Sequence, residues 1–487
     1  MLQQDWRKIV ELRPYQLQLV DDIRNAFRQC RRVIAVASTG AGKTVVFAYI
    51  AASAAKKGRR IVIVAHREEI VFQISNALDR LGVRNGMIKP GRTMTDDKVQ
   101  VGMIQTLARR IDRIQEPDLI VIDECHHSPA GQWKIVTDRW SRALHLGVTA
   151  TPTRTDGRGL GECFDLMVHA PPMRDLIDNG FLADYDYFAP PQQVDLSGVK
   201  TRGGDFAIDQ LAEAMDRAVV IGDAAEHAKR HLNGEPAVVF CVTVAHAEHV
   251  AEQFRAAGFR AAAVDGSMEK TERRDRIAAI GDGRLNILTS CSLISEGTDL
   301  PGVKGVILLR PTKSVSLYLQ MVGRALRPKP DGSRAVILDH VNNVHRHGLP
   351  DAPREWTLDT AKCRGQSPNV TTCDQCYRTF KTGPGWKAEA ECANGQPEGC
   401  VLNIPEAPAG GKEAPETVAG ELIAVTVTPG WADGLNIATC RGPDFAELLN
   451  LAGADAERLK QIAKARGYHH RWVFHRLKAI GQRANAA

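Results

Sequence analysis

The chain has no apolar run of about eighteen residues, the length a membrane-spanning helix needs, so no such helix is expected. Its opening, MLQQDWRKIVEL, is charged and alternating and lacks the apolar stretch and cleavage site of a secretory leader. The expected compartment is therefore the cytoplasm. The eleven cysteines are too few and too scattered for a disulfide scaffold. Cys30, Cys125, Cys163, Cys241 and Cys291 stand singly, mostly beside apolar runs, and read as small core residues. No tandem repeat of solenoid period occurs, and residues 1–345 hold no interleaved run of aromatic and basic residues that would mark a base-stacking platform. Charge is also scarce on balance. The net +6 of the 487 residues is matched by residues 455–487 alone, with eight lysines and arginines against two acids.

What the sequence does have is alternation. Short β-branched runs at 31–37, 59–65, 97–104, 118–123 and 145–150 are bounded by turns and separated by helical stretches. Runs of this kind fit strands buried on both faces of a parallel sheet, joined by right-handed crossovers. The pattern returns at 236–242, 260–266, 285–290, 304–309 and 334–339. The expected fold is α/β, with two tandem parallel-sheet domains at 1–160 and 223–345 and a connecting segment at 161–222. After these come a Cys-rich module at 363–402, a flexible linker at 403–420 and a basic helical tail at 421–487.

The first run leads into ASTGAGKT, residues 37–44. A strand feeding a glycine-bearing loop and then a helix aims backbone N–H groups and the helix dipole at phosphates. Thr39, Gly40, Ala41 and Gly42 would form that cradle, Lys43 would reach the β- and γ-phosphates, and the Thr44 hydroxyl would hold Mg²⁺. The alternative is a chance glycine turn. The fourth run ends in DECHH, residues 123–127, at the carboxyl edge of the sheet. Asp123 would hold Mg²⁺ through water, and Glu124 would orient and deprotonate an attacking water. His126 is either part of this site or an ordinary loop histidine.

QMVGRALR, residues 320–327, places Arg324 and Arg327 three apart, which on a helix brings them to one face. An arginine from a second domain can neutralise the charge of a phosphoryl transition state. The pair would then complete the site when the two domains close on ATP. A solvated basic face is the plainer alternative.

RPYQ (13–16), ASTGAGKT, VAHR (64–67), DECH, VTATP (148–152), SEGTDLPGV (295–303) and QMVGRALR follow one another in the order seen in superfamily 2 helicases. The chain resembles a DEAD/DEAH-type member with a DECH box, and ILDHVNNVHRHGLPD before a cysteine cluster is similar to the RadD-like branch of bacterial and phage DNA helicases. The resemblance covers about residues 11–345. It implies two RecA-like domains and ATP hydrolysis coupled to their closure. Gln16 would read the adenine edge, Asp299 would contact the ribose, and Gly297 would allow close backbone approach. Thr149 and Thr151, with His126, would couple nucleotide state to the nucleic-acid groove. His66, Arg67, Gln105 and Thr106, with Gly266 and Ser290 in the second domain, would line that groove. The partner implied is nucleic acid, DNA before RNA, gripped through its backbone without sequence preference. Ala37 replaces the first glycine of the phosphate loop, a variation common in the superfamily. Cys291 stands where relatives often carry a threonine, which puts that contact in doubt.

Cys373-x-x-Cys376, followed by Cys392 and Cys400, is zinc-ribbon-like, and four thiolates suit one structural Zn²⁺. The second pair is spaced more widely than a usual knuckle. Cys363 is a possible substitute ligand, and unligated thiols or an iron–sulfur cluster are the alternatives. In the tail, Leu459, Ile462 and Ala463 share one helical face, as do Val473, Leu477 and Ile480. The basic faces, with Trp472, fit a nucleic-acid clamp or a solvated helix pair. The zinc module and the tail are also the places where a protein partner would bind.

Overall fold

The computed structural model describes residues 11–127, 131–153, 159–189, 196, 198–202, 204–215, 218–291 and 303–359, with short pieces between 370 and 462. Gly297, Asp299, the cysteines from Cys363 to Cys400, the linker, Ala463 and the tail beyond it lie outside the described residues.

In the first half, α1 (Pro14–Ala26) precedes β1 (Arg32–Val36), α2 (Lys43–Lys56), β2 (Ile61–Ala65) and α3 (Glu68–Arg80). Then come β3 (Asn85–Ile88), β4 (Val99–Met103), α4 (Ile104–Arg110), β5 (Leu119–Asp123), α5 (Gly131–Arg139), β6 (Leu144–Thr149) and β7 (Leu166–His169). All seven strands are parallel, in the order β3-β4-β2-β5-β6-β1-β7. β2 and β5 are buried at every position, which is why their sequences run apolar without alternation. The crossover helices differ: α2 is covered nearly all round, with only Lys56 exposed, whereas α3 buries one stripe. α3 turns Ile70, Val71, Ile74 and Leu78 inward and carries Glu68 and Glu69 in its first turn, where the helix dipole favours acids.

After α6 (Met173–Asp178), the second half contains β8 (Tyr185–Ala189), the small hairpin β9 (Thr201–Arg202) with β10 (Asp205–Phe206), α7 (Ile208–Met215), α8 (Ala218–Leu232) and β11 (Ala237–Phe240). It continues with α9 (Val244–Ala256), β12 (Ala261–Val264), α10 (Lys270–Gly281), β13 (Ile287–Ser290) and β14 (Gly305–Leu308). The last elements of this half are α11 (Val315–Val322), β15 (Ala335–Asp339) and α12 (Asn343–His347). β16 (Val370–Thr372) pairs with β17 (Thr379–Lys381), and β18 (Ile423–Ala424) adds antiparallel to β8. The second sheet reads β12-β13-β11-β14-β15-β8-β18.

Several described strands fall outside the expected runs: β3, β7 and β8 in the two sheets, and the short β9, β10, β16, β17 and β18. Of these, β7 to β10 lie in the segment 161–222. That segment is therefore not a simple connection: β7 pairs with β1 of the first sheet and β8 with β15 of the second. The chain crosses between the sheets at 170–184.

A single apolar cluster joins the two halves. It runs from Leu19 and Phe47 through Met173, Leu176, Ile177 and Leu182 to Tyr187, Leu308 and Ile337. The chain also returns to the first half after α12. Asp351 pairs with the buried Arg174 of α6 at 3.0 Å, and the Gly161 N–H donates to the Leu358 carbonyl at 2.9 Å. Trp356 and Leu358 then pack on the first sheet's outer cluster around Leu160 and Phe164. Gly159 makes this docking possible, since a Cβ there would lie 1.9 Å from the Leu358 carbonyl oxygen.

Candidate functional site

The loop between β1 and α2 closes over two glycines in left-handed conformation, Gly40 at φ +86° and Gly42 at φ +77°. A side chain at either position would be strained. Gly42 directly precedes α2, so the first free N–H groups of the helix face the loop. The Lys43 ammonium donates to the Ala37 carbonyl at 3.3 Å, spanning the loop from its end to its start. The Tyr15 hydroxyl donates to the Ala41 carbonyl at 2.8 Å, bracing the loop from α1.

Gln16, expected to read a base edge, is 5% exposed, its Oε1 accepts from the Arg13 N–H at 3.0 Å, and its Nε2 donates to the Ala41 carbonyl at 3.2 Å. The amide thus also braces the phosphate loop.

β5 delivers Asp123 to its tip, 8% exposed. Glu124 follows at φ +47°, a conformation uncommon for any residue but glycine, which costs about 1–3 kcal/mol where the surroundings enforce it. From Glu124 a polar chain leads across the molecule. Thr149 Oγ1 lies 3.4 Å from Glu124 Oε2 and 2.9 Å from His126 Nδ1. The Thr151 N–H donates to Thr149 Oγ1 at 3.1 Å, and Thr151 Oγ1 meets Ser316 Oγ of α11 at 2.5 Å. Ser316 belongs to the second half and carried no signal in the sequence. Cys125 is buried in the same turn, where burial, and then the Glu124 charge, push its thiol well up, so it is a packing residue.

Arg324 and Arg327 are not on a helix. α11 ends at Val322, and the residues that follow form a turn, so the shared helical face does not exist. Gly323 explains why the turn still matters. A Cβ there would lie 2.5 Å from Thr39 Cγ2 and 2.6 Å from Thr39 Cβ, so only glycine lets this turn of the second half rest on the phosphate loop. Arg324, 8% exposed, is the next residue.

A family model described as the type III restriction enzyme res subunit matches residues 9–154, and one for the helicase conserved C-terminal domain matches residues 220–329. A 51.5 kDa protein of a Lactococcus phage is 32% identical over 340 residues, spanning 69% of this chain and 72% of that one. The chain belongs to the superfamily 2 helicases. The family protein IRC3 of Saccharomyces cerevisiae is 30% identical, and the match spans 70% of this helicase but 53% of IRC3. A type I restriction enzyme HsdR-subunit fragment from Vibrio vulnificus shares the fold at a TM-score of 0.56 and 24% identity, covering 72% of this chain and 69% of that one.

The groove residues of the helicase fare unevenly. His66 and Arg67 follow β2 and are half-buried, half-buried Gln105 and the largely buried Thr106 open α4, and Gly266 is exposed after β12. Ser290, in contrast, is fully buried at the end of β13 and is not available to a strand. Across the same edge, Glu68 pairs with Lys270 at 2.8 Å and Glu69 with Arg273 at 2.5 Å, tying α3 to α10.

Thr44 and Asp123 offer hydroxyl and carboxylate oxygens at the end of the phosphate loop and at the tip of β5, a donor set that suits Mg²⁺. Among the described residues, no group of three or more His, Cys, Asp or Glu is placed to hold a metal. No described helix is long and apolar enough to cross a membrane.

Proposed function

We propose that this protein is an ATP-driven motor on DNA, hydrolysing ATP between its two sheets and using their closure to move along or separate strands. The observation that carries the reading is the polar chain from Glu124 through Thr149 and Thr151 to Ser316. It gives the water-activating carboxylate a direct link to the second domain. In this reading Lys43 holds the phosphates, Glu124 orients and deprotonates the water, and Arg324 and Arg327 neutralise the developing charge. Thr44 and Asp123 would hold magnesium, which would supply positive charge to offset that of the phosphates. Asp299, with Gly297, would take the ribose. His66, Arg67, Gln105, Thr106 and Gly266 would touch the strand backbone.

DNA is favoured because the chain is 28% identical to a type I restriction endonuclease subunit of Escherichia coli. The fold likeness to the helicase MrfA, solved bound to DNA, is in keeping with this at a TM-score of 0.52 and 14% identity. ATP hydrolysis and strand displacement on duplex, forked and single-stranded DNA and RNA test the reading. Stimulation by RNA alone would make it an RNA motor, and turnover without displacement would make it a translocase or remodeller.

Cys373, Cys376, Cys392 and Cys400 are proposed to hold one structural zinc, which elemental analysis of purified protein tests, since iron or no metal overturns it. The tail is proposed as an auxiliary DNA grip, so deleting residues 443–487 should weaken binding and flatten its salt slope.

A further inference from the structure

The short stretch Phe181-Leu182-Ala183 lies between the sheets and touches three parts of the nucleotide site at once. It is set rigidly by the end of α6. Gly180 adopts φ +71°, its N–H donates to the Ile177 carbonyl at 2.9 Å, and the Phe181 N–H donates to the Leu176 carbonyl at 2.8 Å. The Phe181 ring packs on Tyr15 at 4.9 Å between centroids and lies under the Arg13 guanidinium at 5.2 Å. Arg13 Nη1 also donates to the Phe181 carbonyl at 3.0 Å. The buried Leu182 lies against the phosphate loop, its Cδ2 2.9 Å from where a Cβ on Gly40 would sit. The Ala183 N–H donates to the Leu326 carbonyl at 2.8 Å, one residue before Arg327.

We infer that Phe181-Leu182-Ala183 is a positioning element that sets the Arg327 turn according to how the base side of the nucleotide site is packed. This rests on the ATP-hydrolysing reading above. Tyr15 and Gln16 brace the loop at Ala41, with Arg13 and Phe181 packed beside them, and on this reading a base attached to loop-bound phosphates lies on that flank. Packing there is transmitted by Phe181 to Ala183, and from Ala183 by one backbone hydrogen bond to the arginine turn. The three residues touch no reacting atom and act through Tyr15, Gly40 and Arg327.

The test is steady-state hydrolysis of ATP and CTP by the full chain with single-stranded DNA. Phe181→Ala should raise the KM for ATP about three- to tenfold, the worth of a lost aromatic contact. It should also narrow the preference for ATP over CTP, and Phe181→Trp should restore both. Ala183→Pro removes the N–H that holds Leu326 and should lower kcat on the order of tenfold with KM unchanged. Combined with Arg327→Ala, it should cost nothing further, because both act on the same arginine. Thermal melting checks that each variant folds, and Leu182→Ala carries the same cycle if the proline variant does not. Folded variants with an unchanged base preference, or with losses that simply multiply with Arg327→Ala, would overturn the inference. A wild-type chain that hydrolyses neither nucleotide would instead refute the reading beneath it.

Discussion

Laid side by side, the two sheets have the same strand order. β3-β4-β2-β5-β6-β1-β7 of the first corresponds position by position to β12-β13-β11-β14-β15-β8-β18 of the second, the last strand reversed. The counterpart of β1 is therefore β8, yet their tips differ entirely. β1 runs into ASTGAGKT, while β8 is followed by the proline pair 190–191. β5 ends in Asp123 and is followed by Glu124, while its counterpart β14 is followed by Leu309 and Arg310. The architecture supplies two equivalent edges, and among the described residues the glycine-bearing loop with its lysine and the acidic tip belong to the first. The second sheet contributes from the end of α11, with a glycine seated on Thr39 and two arginines behind it.

The comparison breaks most completely at the first edge. Lys43→Ala should reduce ATP hydrolysis to background, and Glu124→Gln should keep ATP binding while stalling turnover. Normal turnover in either would show that the two edges do not differ as described. Arg327→Ala should lower kcat about a thousandfold, as arginine-finger losses do, with ATP affinity changed far less. A loss confined to affinity would assign the second sheet a binding role only. Gly323→Ala should lower kcat about ten- to a hundredfold by lifting the arginine turn from the loop. Thr39→Gly in the same chain should recover part of that loss, because the contact is with the Thr39 side chain. Without any recovery, the close approach would be incidental.

The smallest effect concerns the contact between α3 and α10. Hydrogen bonds from Lys270 first, and then from Lys89, pull Glu68 down from 4.5 to about 2. Its contribution is therefore complete above pH 4.5 and is lost as the pH falls through about 2. Glu68→Gln should flatten the fall of the thermal midpoint across that window, by no more than the roughly 1 kcal/mol of a partly exposed pair. Identical pH profiles for the two chains would remove the pair from the stability of the closed arrangement.

The strands legible in the sequence were those buried on both faces. β2 and β5 are uniformly apolar because helices cover them on either side. β3 and β8 alternate buried with half-buried positions, and NGMI and YDYFA accordingly carry no apolar run. β7, at the sheet edge, is largely half-buried. In the site, the phosphate loop and the acidic tip were legible because neither has a structural use in a buried strand. Ser316 was not, since one serine in a helix means nothing until Thr151 stands 2.5 Å away. Ser290 is expected at the groove for the same reason, since spacing shows which residues are near a site, whereas burial decides which of them can face it.

The chain leaves the first half at 170–184 and returns to it at 351–358, and these two crossings are fastened together. Arg174 on the outward crossing is buried among Asp178 and Asp184 of that crossing and Asp351 of the returning one. Burial opposes its charge, but Asp351, Asp178 and Asp184 outweigh that and keep it protonated. A body hung on one thread can swing and twist in any direction, whereas two threads lashed side by side resist twisting. In the closure proposed above, this fastening would limit how the two halves turn, so that each return would bring Gly323 back to the same place on Thr39.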